Sequence, residues 1–250
     1  MEIGAQFFTI REHCKTLEDF AESLKKVADI GYKNVQISGT CDYEPEWLEA
    51  ELKKNGLKCV LTHTKADVLQ ADPLLVAKKH DVFDCKYVGL GSYGFKEENG
   101  ESLEKFIEVY TPVANALAEN GKYFMYHNHA HEFKKIDGKI ILQHIAEAFP
   151  ADKLGFTLDT YWVQAGGGDP AYWIEQLKGR LPCIHLKDYA FDGDKKMAVV
   201  GEGNINFDRV FEKAEAAGVK YMLVEQDNCN GEDPFDCLAR SYKFLKSKGF

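Results

Sequence analysis

The sequence predicts one (β/α)8 TIM barrel occupying residues 1–250 as a single domain, and three observations carry that expectation. Eight short apolar runs recur along the chain, most of them continuous, as strands covered on both faces of a parallel sheet require. Amphipathic helical patterns lie between the runs, and several stop at a glycine. The first run, IGAQFF, is followed by TIREHCK, without the Gly-rich fingerprint of a doubly wound nucleotide-binding sheet.

The elements follow in order. IGAQFF (3–8) is the first strand, and TLEDFAESLKKVADI then sets Leu17, Phe20, Leu24, Val27 and Ile30 on one stripe before Gly31. NVQIS (34–38) leads to a helix EPEWLEAELKKN that stops at Gly56, and KCVLTH (58–63) to a shorter one in ADPLLVAKKHDVF. KYVGLG (86–91) precedes the long pattern SLEKFIEVYTPVANALAEN, closed by Gly121, and KYFMYHN (122–128) is the fifth strand. LGFTLD (154–159) is the sixth, DPAYWIEQLKG a short helix, and CIHLKD (183–188) the seventh strand. FDRVFEKAEAA ends at Gly218, and YMLVEQD (221–227) closes the set. The glycines of QAGGGDP lack the Lys-Ser/Thr of a P-loop, so the segment is expected to be a flexible βα loop near the barrel mouth.

Composition narrows the function. A formal net charge of -9, from 40 acidic and 31 basic side chains, argues against a nucleic-acid partner. No run of 18 apolar residues suggests a membrane span, and MEIGAQFFTIREH reads as a strand and its loop, not an export signal. Seven cysteines without a CxxC pair predict reduced thiols, and a cytoplasmic setting is expected.

Polar residues gather where a barrel places its chemistry, at the C-terminal ends of strands. The fifth run ends in His127, Asn128 and His129, the sixth in Asp159, the seventh in His185, Lys187 and Asp188, and the eighth in Glu225, Gln226 and Asp227. Strand periodicity puts His127 with His129, His185 with Lys187, and Glu225 with Asp227. A lone aspartate in such a place usually caps the next helix, and a lone histidine is usually a hydrogen-bonded core residue. Four on successive strands point to a shared site, since burying them unpartnered would cost several kcal/mol. Imidazoles with carboxylates suit Mn²⁺, Co²⁺, Fe²⁺ or Zn²⁺ better than Ca²⁺ or Mg²⁺.

GAQFFTIR, YHNHAHEF, LDTYWVQAGGGDP, IHLKDY, GEGNINF and YMLVEQD, in that order, resemble the signature segments of the xylose-isomerase-like TIM barrels. That group contains sugar isomerases, epimerases and dehydratases, and endonuclease IV. The resemblance spans essentially the whole chain. It implies one divalent metal, often Mn²⁺, held by Glu, Asp, His and Glu from strands five to eight. The last three correspond to Asp159, His185 and Glu225. At the first position this chain has His127, with His129 on the same face and Glu132 in the following loop as alternatives.

In the epimerases it resembles, the two metal-binding glutamates face each other across the substrate, one removing a proton beside the carbonyl and the other returning it. Glu225 can still serve as a base. Its partner would be Glu132, expected to fold over the cavity, or His129 or His131; otherwise the reaction is one-sided, an isomerisation or a loss of water. Lys187 is expected to hold a substrate hydroxyl or oxyanion, Gln36 and His63 to contact hydroxyls, and Trp162 to form an apolar wall. Glu202 is expected to orient Lys187 or a ligand histidine. The resulting expectation is a metal-dependent sugar isomerase/epimerase acting on a keto-sugar or sugar derivative. The alternatives are a keto-cyclitol or keto-sugar dehydratase and a non-catalytic carbohydrate-binding protein. The expected partners are a small sugar or polyol and a second copy in a homodimer, with no nucleic acid and no membrane.

Overall fold

The computed structural model describes residues 1–95 and 100–250. Eight strands form a closed parallel barrel in sequence order: β1 (Glu2–Gln6), β2 (Asn34–Ile37), β3 (Lys58–His63), β4 (Tyr87–Leu90), β5 (Tyr123–His127), β6 (Leu154–Asp159), β7 (Cys183–Leu186) and β8 (Tyr221–Val224), with β8 pairing back to β1. The helices around it are α1 (Leu17–Ile30), α2 (Pro45–Asn55), α3 (Ala66–Ala71), α4 (Pro73–Val82), α5 (Glu101–Glu119), α6 (Ile141–Ala148), α7 (Thr160–Ala165), α8 (Pro170–Gln176), α9 (Phe207–Ala217) and α10 (Pro234–Ser247). Glycine stops are used as the pattern predicts. Gly56 and Gly218 cap α2 and α9 in the left-handed region, with φ of 63° and 80°, where a side chain would be strained.

Two cores result. The larger packs helices against the outer faces of the strands, and the smaller fills the barrel with Val60, Leu61, Tyr87, Met125, Cys183 and Leu223. Tyr123 and Tyr221 pack against the smaller core. Two residues further along their strands, Leu61, Met125, Cys183 and Leu223 give way to His63, His127, His185 and Glu225. A period of two therefore carries the apolar interior directly into a polar layer at the C-terminal mouth.

Some elements depart from expectation. TIREH, read as loop, belongs to a 3-10 helix, Phe7–His13, which also takes Phe7 and Phe8 from the expected first strand. β7 ends at Leu186, and Asp188–Phe191 instead pairs antiparallel with Lys195–Ala198; a smaller hairpin joins Lys135–Ile136 to Lys139–Ile140. The glycines of QAGGGDP connect α7 to α8, and two of them are packed against a neighbour. A Cβ at Gly166 or Gly168 would come within 2.8 or 2.6 Å of the Phe133 ring, so these glycines exist to let Phe133 pack. All seven cysteines are free thiols. Among the described residues no helix is long and apolar enough to cross a membrane.

Candidate metal centre and its cavity

His127, Asp159, His185 and Glu225 are all buried, and each offers a ligand atom within 4.8 Å of the others. Sheet register brings them together: Asp159 lies beside His185, and the Glu225 amide continues the β7–β8 ladder by donating to the Leu186 carbonyl at 3.1 Å. Asp159 also ends β6 and opens α7, so one side chain serves two purposes. Its Oδ1 accepts from the Trp162 amide at 2.9 Å, and its Oδ2 faces the cluster.

The histidines decide what the cluster can hold. His127 Nδ1 lies 2.8 Å from the Gly91 carbonyl, which can only accept, so that nitrogen carries the proton. In the neutral ring Nε2 then presents a lone pair to Asp159 Oδ2 at 3.3 Å. Two acceptors facing each other need a proton or a cation between them. His185 repeats the pattern, with Nε2 donating to Gln36 Oε1 at 2.6 Å and Nδ1 turned to Glu225 Oε2 at 2.8 Å. Neither His185 Nδ1 nor Glu225 Oε2 makes a hydrogen bond of acceptable geometry, although both are buried. Imidazoles with one nitrogen tied to an oxygen and the other directed at carboxylates are arranged as metal ligands are. The donor set fits a divalent transition ion.

Charge adds to the argument. Asp159, Glu225 and Asp227 surround one ammonium, Lys187 Nζ, at 3.1, 2.9 and 2.9 Å. Burial opposes the charge on Lys187, but the three carboxylates outweigh it and raise its pKa. Burial likewise works against ionised Asp159 and Glu225, and Lys187 with the histidines reverses it, holding both below the usual carboxylate range. His185 is lifted to about 9 against its burial by Glu225 and Asp159. Three carboxylates facing one ammonium make an environment that attracts positive charge.

The cluster opens into a cavity of about 880 Å³ whose lining includes His63, His127, His129, Lys187, Glu225 and Asp227. His63 bonds Ser38 through Nδ1 at 3.1 Å and leaves Nε2 unpartnered; burial and the neighbouring imidazoles push its pKa well below the ordinary value. Gly89 and Gly91 leave room for His63, since an added Cβ at either would lie 3.0 Å from its ring. His129 also lines the cavity with Nδ1 unpartnered, and burial together with His127 lowers its pKa to about 3. Trp162 stands 5.1 Å from the His129 ring and 5.5 Å from Lys187 Nζ.

Three residues are placed differently from the sequence reading. Glu132 does not reach the cavity. It is fully buried in a short 3-10 turn, where its carboxylate accepts from the Tyr126 hydroxyl and from the His129 amide at 2.8 Å, and lies 3.2 Å from His131. The turn after Ala130 is too tight to let it fold over the mouth. Gln36 is equally buried and lies outside the cavity lining, where its Oε1 accepts from His185 and its Nε2 is left unpartnered. Glu202 lies on the surface, paired with Arg240 at 3.2 Å, because Asp188 organises the GEGN turn instead. The Asp188 carboxylate accepts from the amides of Gly201, Gly203 and Ile205.

Gln6 went unread, and Asp227, placed on the Glu225 face by strand periodicity, was given no role. Gln6 accepts from the Phe8 amide, which turns its NH₂ toward Glu225 Oε1 at 2.6 Å, and Asp227 anchors Lys187. Gln6 ends β1, but Phe7 and Phe8 carry the apolar run past it in the sequence, so no polar strand end was visible there.

The family model for the xylose isomerase-like TIM barrel matches residues 24–248. The chain belongs to this family. Solved structures share the fold across the whole xylose isomerase-like barrel. A sugar phosphate isomerase/epimerase from Parabacteroides distasonis ATCC 8503 is 22% identical with a TM-score of 0.84, covering 99% of this chain and 94% of its own. An L-ribulose 3-epimerase is 16% identical with a TM-score of 0.76, covering 99% and 94%. A probable 3-DHS dehydratase from Bacillus anthracis is 15% identical with a TM-score of 0.73, covering 98% and 99%. At these identities the likeness is one of fold. Among curated proteins no sequence match is found.

Proposed function

We propose that this protein is a metal-dependent sugar isomerase/epimerase acting on a keto-sugar or sugar derivative, with His127, Asp159, His185 and Glu225 as ligands of one divalent ion. The observation that carries the proposal is the tied-off His127 ring, whose free nitrogen meets a carboxylate where only a cation or proton resolves the contact. Mn²⁺ is the expected ion, from the family resemblance, and Co²⁺, Fe²⁺ or Zn²⁺ suit the same donors. When bound, such an ion polarises a substrate carbonyl and makes the adjacent C–H more acidic.

The side chains supply the rest. Glu225 is assigned as the base, with Gln6 and Lys187 fixing its carboxylate. Lys187 holds a substrate hydroxyl or donates to a developing oxyanion, since its ammonium lies at the cavity wall. Of the three groups that the sequence offered as Glu225's partner, Glu132 is bonded away from the cavity and His131 is bonded to the Tyr93 carbonyl. His129, neutral and with Nδ1 free, is therefore assigned as the second proton-transfer group. His63 and Trp162 are assigned to substrate hydroxyls and the sugar's carbon face. A cytoplasmic setting belongs to the same proposal and is supported by the free thiols.

Loss of water is the second reading, favoured by imidazole standing where a two-carboxylate epimerase needs a glutamate. Both are tested by incubating Mn²⁺-loaded protein in deuterated solvent with ketopentoses, ketohexoses and keto-cyclitols, followed by proton NMR. Exchange beside the carbonyl, lost in Glu225→Gln and slowed at least tenfold in His129→Asn, is expected. Release of an unsaturated product would select the dehydratase. No exchange with any compound, from protein lacking stoichiometric metal, would overturn the proposal in favour of a binding protein.

A further inference from the structure

The cavity continues well past the polar cluster. On the side of β2, β3 and β4 its lining turns apolar, with Phe8, Ile37, Tyr43, Val76, Phe83 and Leu90. At its rim Leu17 and Val68 are 38% and 42% exposed, two of only six large apolar side chains that stand exposed among the described residues. The rim lysine Lys65 is held by Asp42 at 3.0 Å, which lowers its value as an anchor for an anionic group.

Size and chemistry agree. The volume of about 880 Å³ lies near the upper end of pockets that bury drug-sized ligands, roughly 300–1,000 Å³, and exceeds what one sugar ring needs. A free sugar carries hydroxyls around its ring and gains little from such a wall. A phosphate calls for amide donors and a cluster of unpaired cations. This wing has two lysines, Lys65 paired with Asp42 and Lys79 exposed on α4, with the carboxylates of Asp42 and Glu44 beside them, and the greater part of the wall is aromatic and aliphatic. The polar end, by contrast, holds hydrogen-bonding groups on several strands.

We infer that the substrate is a sugar conjugate whose ring occupies the His/Asp/His/Glu end while an apolar substituent, aryl or alkyl, fills the wing beside β2–β4. This rests on the proposed sugar chemistry and specifies its substrate class. The wing is continuous with the reactive end, so one molecule spans both. Apolar area removed from water then supplies affinity that does not depend on which hydroxyls the ring presents.

Titration calorimetry on Mn²⁺-loaded full-length protein tests it, using methyl and phenyl glycosides of glucose, galactose and xylose, with glucose 6-phosphate as the anionic comparison. These probes carry ring and substituent without the reacting carbonyl. At least one phenyl glycoside is expected to bind tenfold or more tightly than its methyl counterpart. Val68→Asp and Leu17→Asp, at exposed positions, should erase that difference, with metal content unchanged. Equal affinity within every pair, no binding of any phenyl glycoside, or a phenyl preference that survives both substitutions would overturn the inference. So would a glucose 6-phosphate complex tighter than all the glycosides and weakened by Lys65→Ala or Lys79→Ala. Failure of the sugar chemistry itself is read separately, from metal content and proton exchange on unsubstituted keto-sugars.

Discussion

Asp159 offers its two oxygens to different duties, and substitution separates them. Oδ1 caps α7, while Oδ2 meets His127, His185 and Lys187. Asp159→Asn keeps an oxygen for the cap and removes the charge, so stoichiometric metal should be lost while the helix start stays intact. Asp159→Ala should lose both, adding about 1 kcal/mol of destabilisation for the cap. Metal analysis beside urea unfolding distinguishes the two, and full metal retention in Asp159→Asn would remove it from the ligand set. Glu132 gives the opposite result. Its carboxylate serves Tyr126, the His129 amide and His131 inside the turn, so Glu132→Ala should cost on the order of 2 kcal/mol by leaving buried donors unpaired. Metal content should not change. At this scale the residues of the buried cluster were legible because each polar group ends an apolar run. The directions of Glu132, Gln36 and Glu202 were not: Gln36 and Glu202 are turned by His185 and Arg240, far away in sequence, and Glu132 by a tight local turn that strand periodicity does not describe.

The junction of β3 with α4 stores a pH dependence of its own. His80 in α4 is buried, with Nε2 bonded to Thr62 Oγ1 at 2.8 Å and Nδ1 to the Val76 carbonyl at 2.8 Å. Burial, reinforced by nearby Lys122 and opposed by the Val76 bond and Asp81, lowers its pKa from 6.5 to about 4. The folded state therefore keeps His80 neutral where the unfolded chain takes up a proton. Stability is full above pH 6.5 and falls as the pH drops toward 4, by about 3 kcal/mol in total for this residue. Subtracting the urea-unfolding profile of His80→Gln from that of the natural protein should isolate the loss. Parallel profiles between pH 7 and 4 would show that His80 is not its source. Strands and helix stops at this scale followed from periodicity and glycine. The two hairpins and the 3-10 helix did not, being too short to show a period, and the triple glycine concealed a packing role that only Phe133 reveals.

Across the whole molecule, the eight-fold alternation of strand and helix announced the barrel, while the apolar wing of the cavity remained hidden. It is assembled from loops and helices around β1 to β4, whose side chains share no stretch of sequence. The candidate ligands are distributed as widely, one each from β5 and β7 and two from the ends of β6 and β8, so an ion held by them would join four neighbouring strands across half the barrel. An ion that binds only the folded chain stabilises it by mass action, about 2.7 kcal/mol at a hundred times its dissociation constant. For a chain of this size that corresponds to a rise of roughly 5–10 °C in Tm. Mn²⁺-loaded protein is thus expected to melt several degrees above protein stripped with a chelator, with re-addition of Mn²⁺ restoring the difference. Asp159→Asn should melt at one temperature whether or not the metal is present. The same shift in that variant would place the stabilising ion elsewhere, and no shift in the natural protein would mean that His127, Asp159, His185 and Glu225 satisfy one another through Lys187 and bound protons instead.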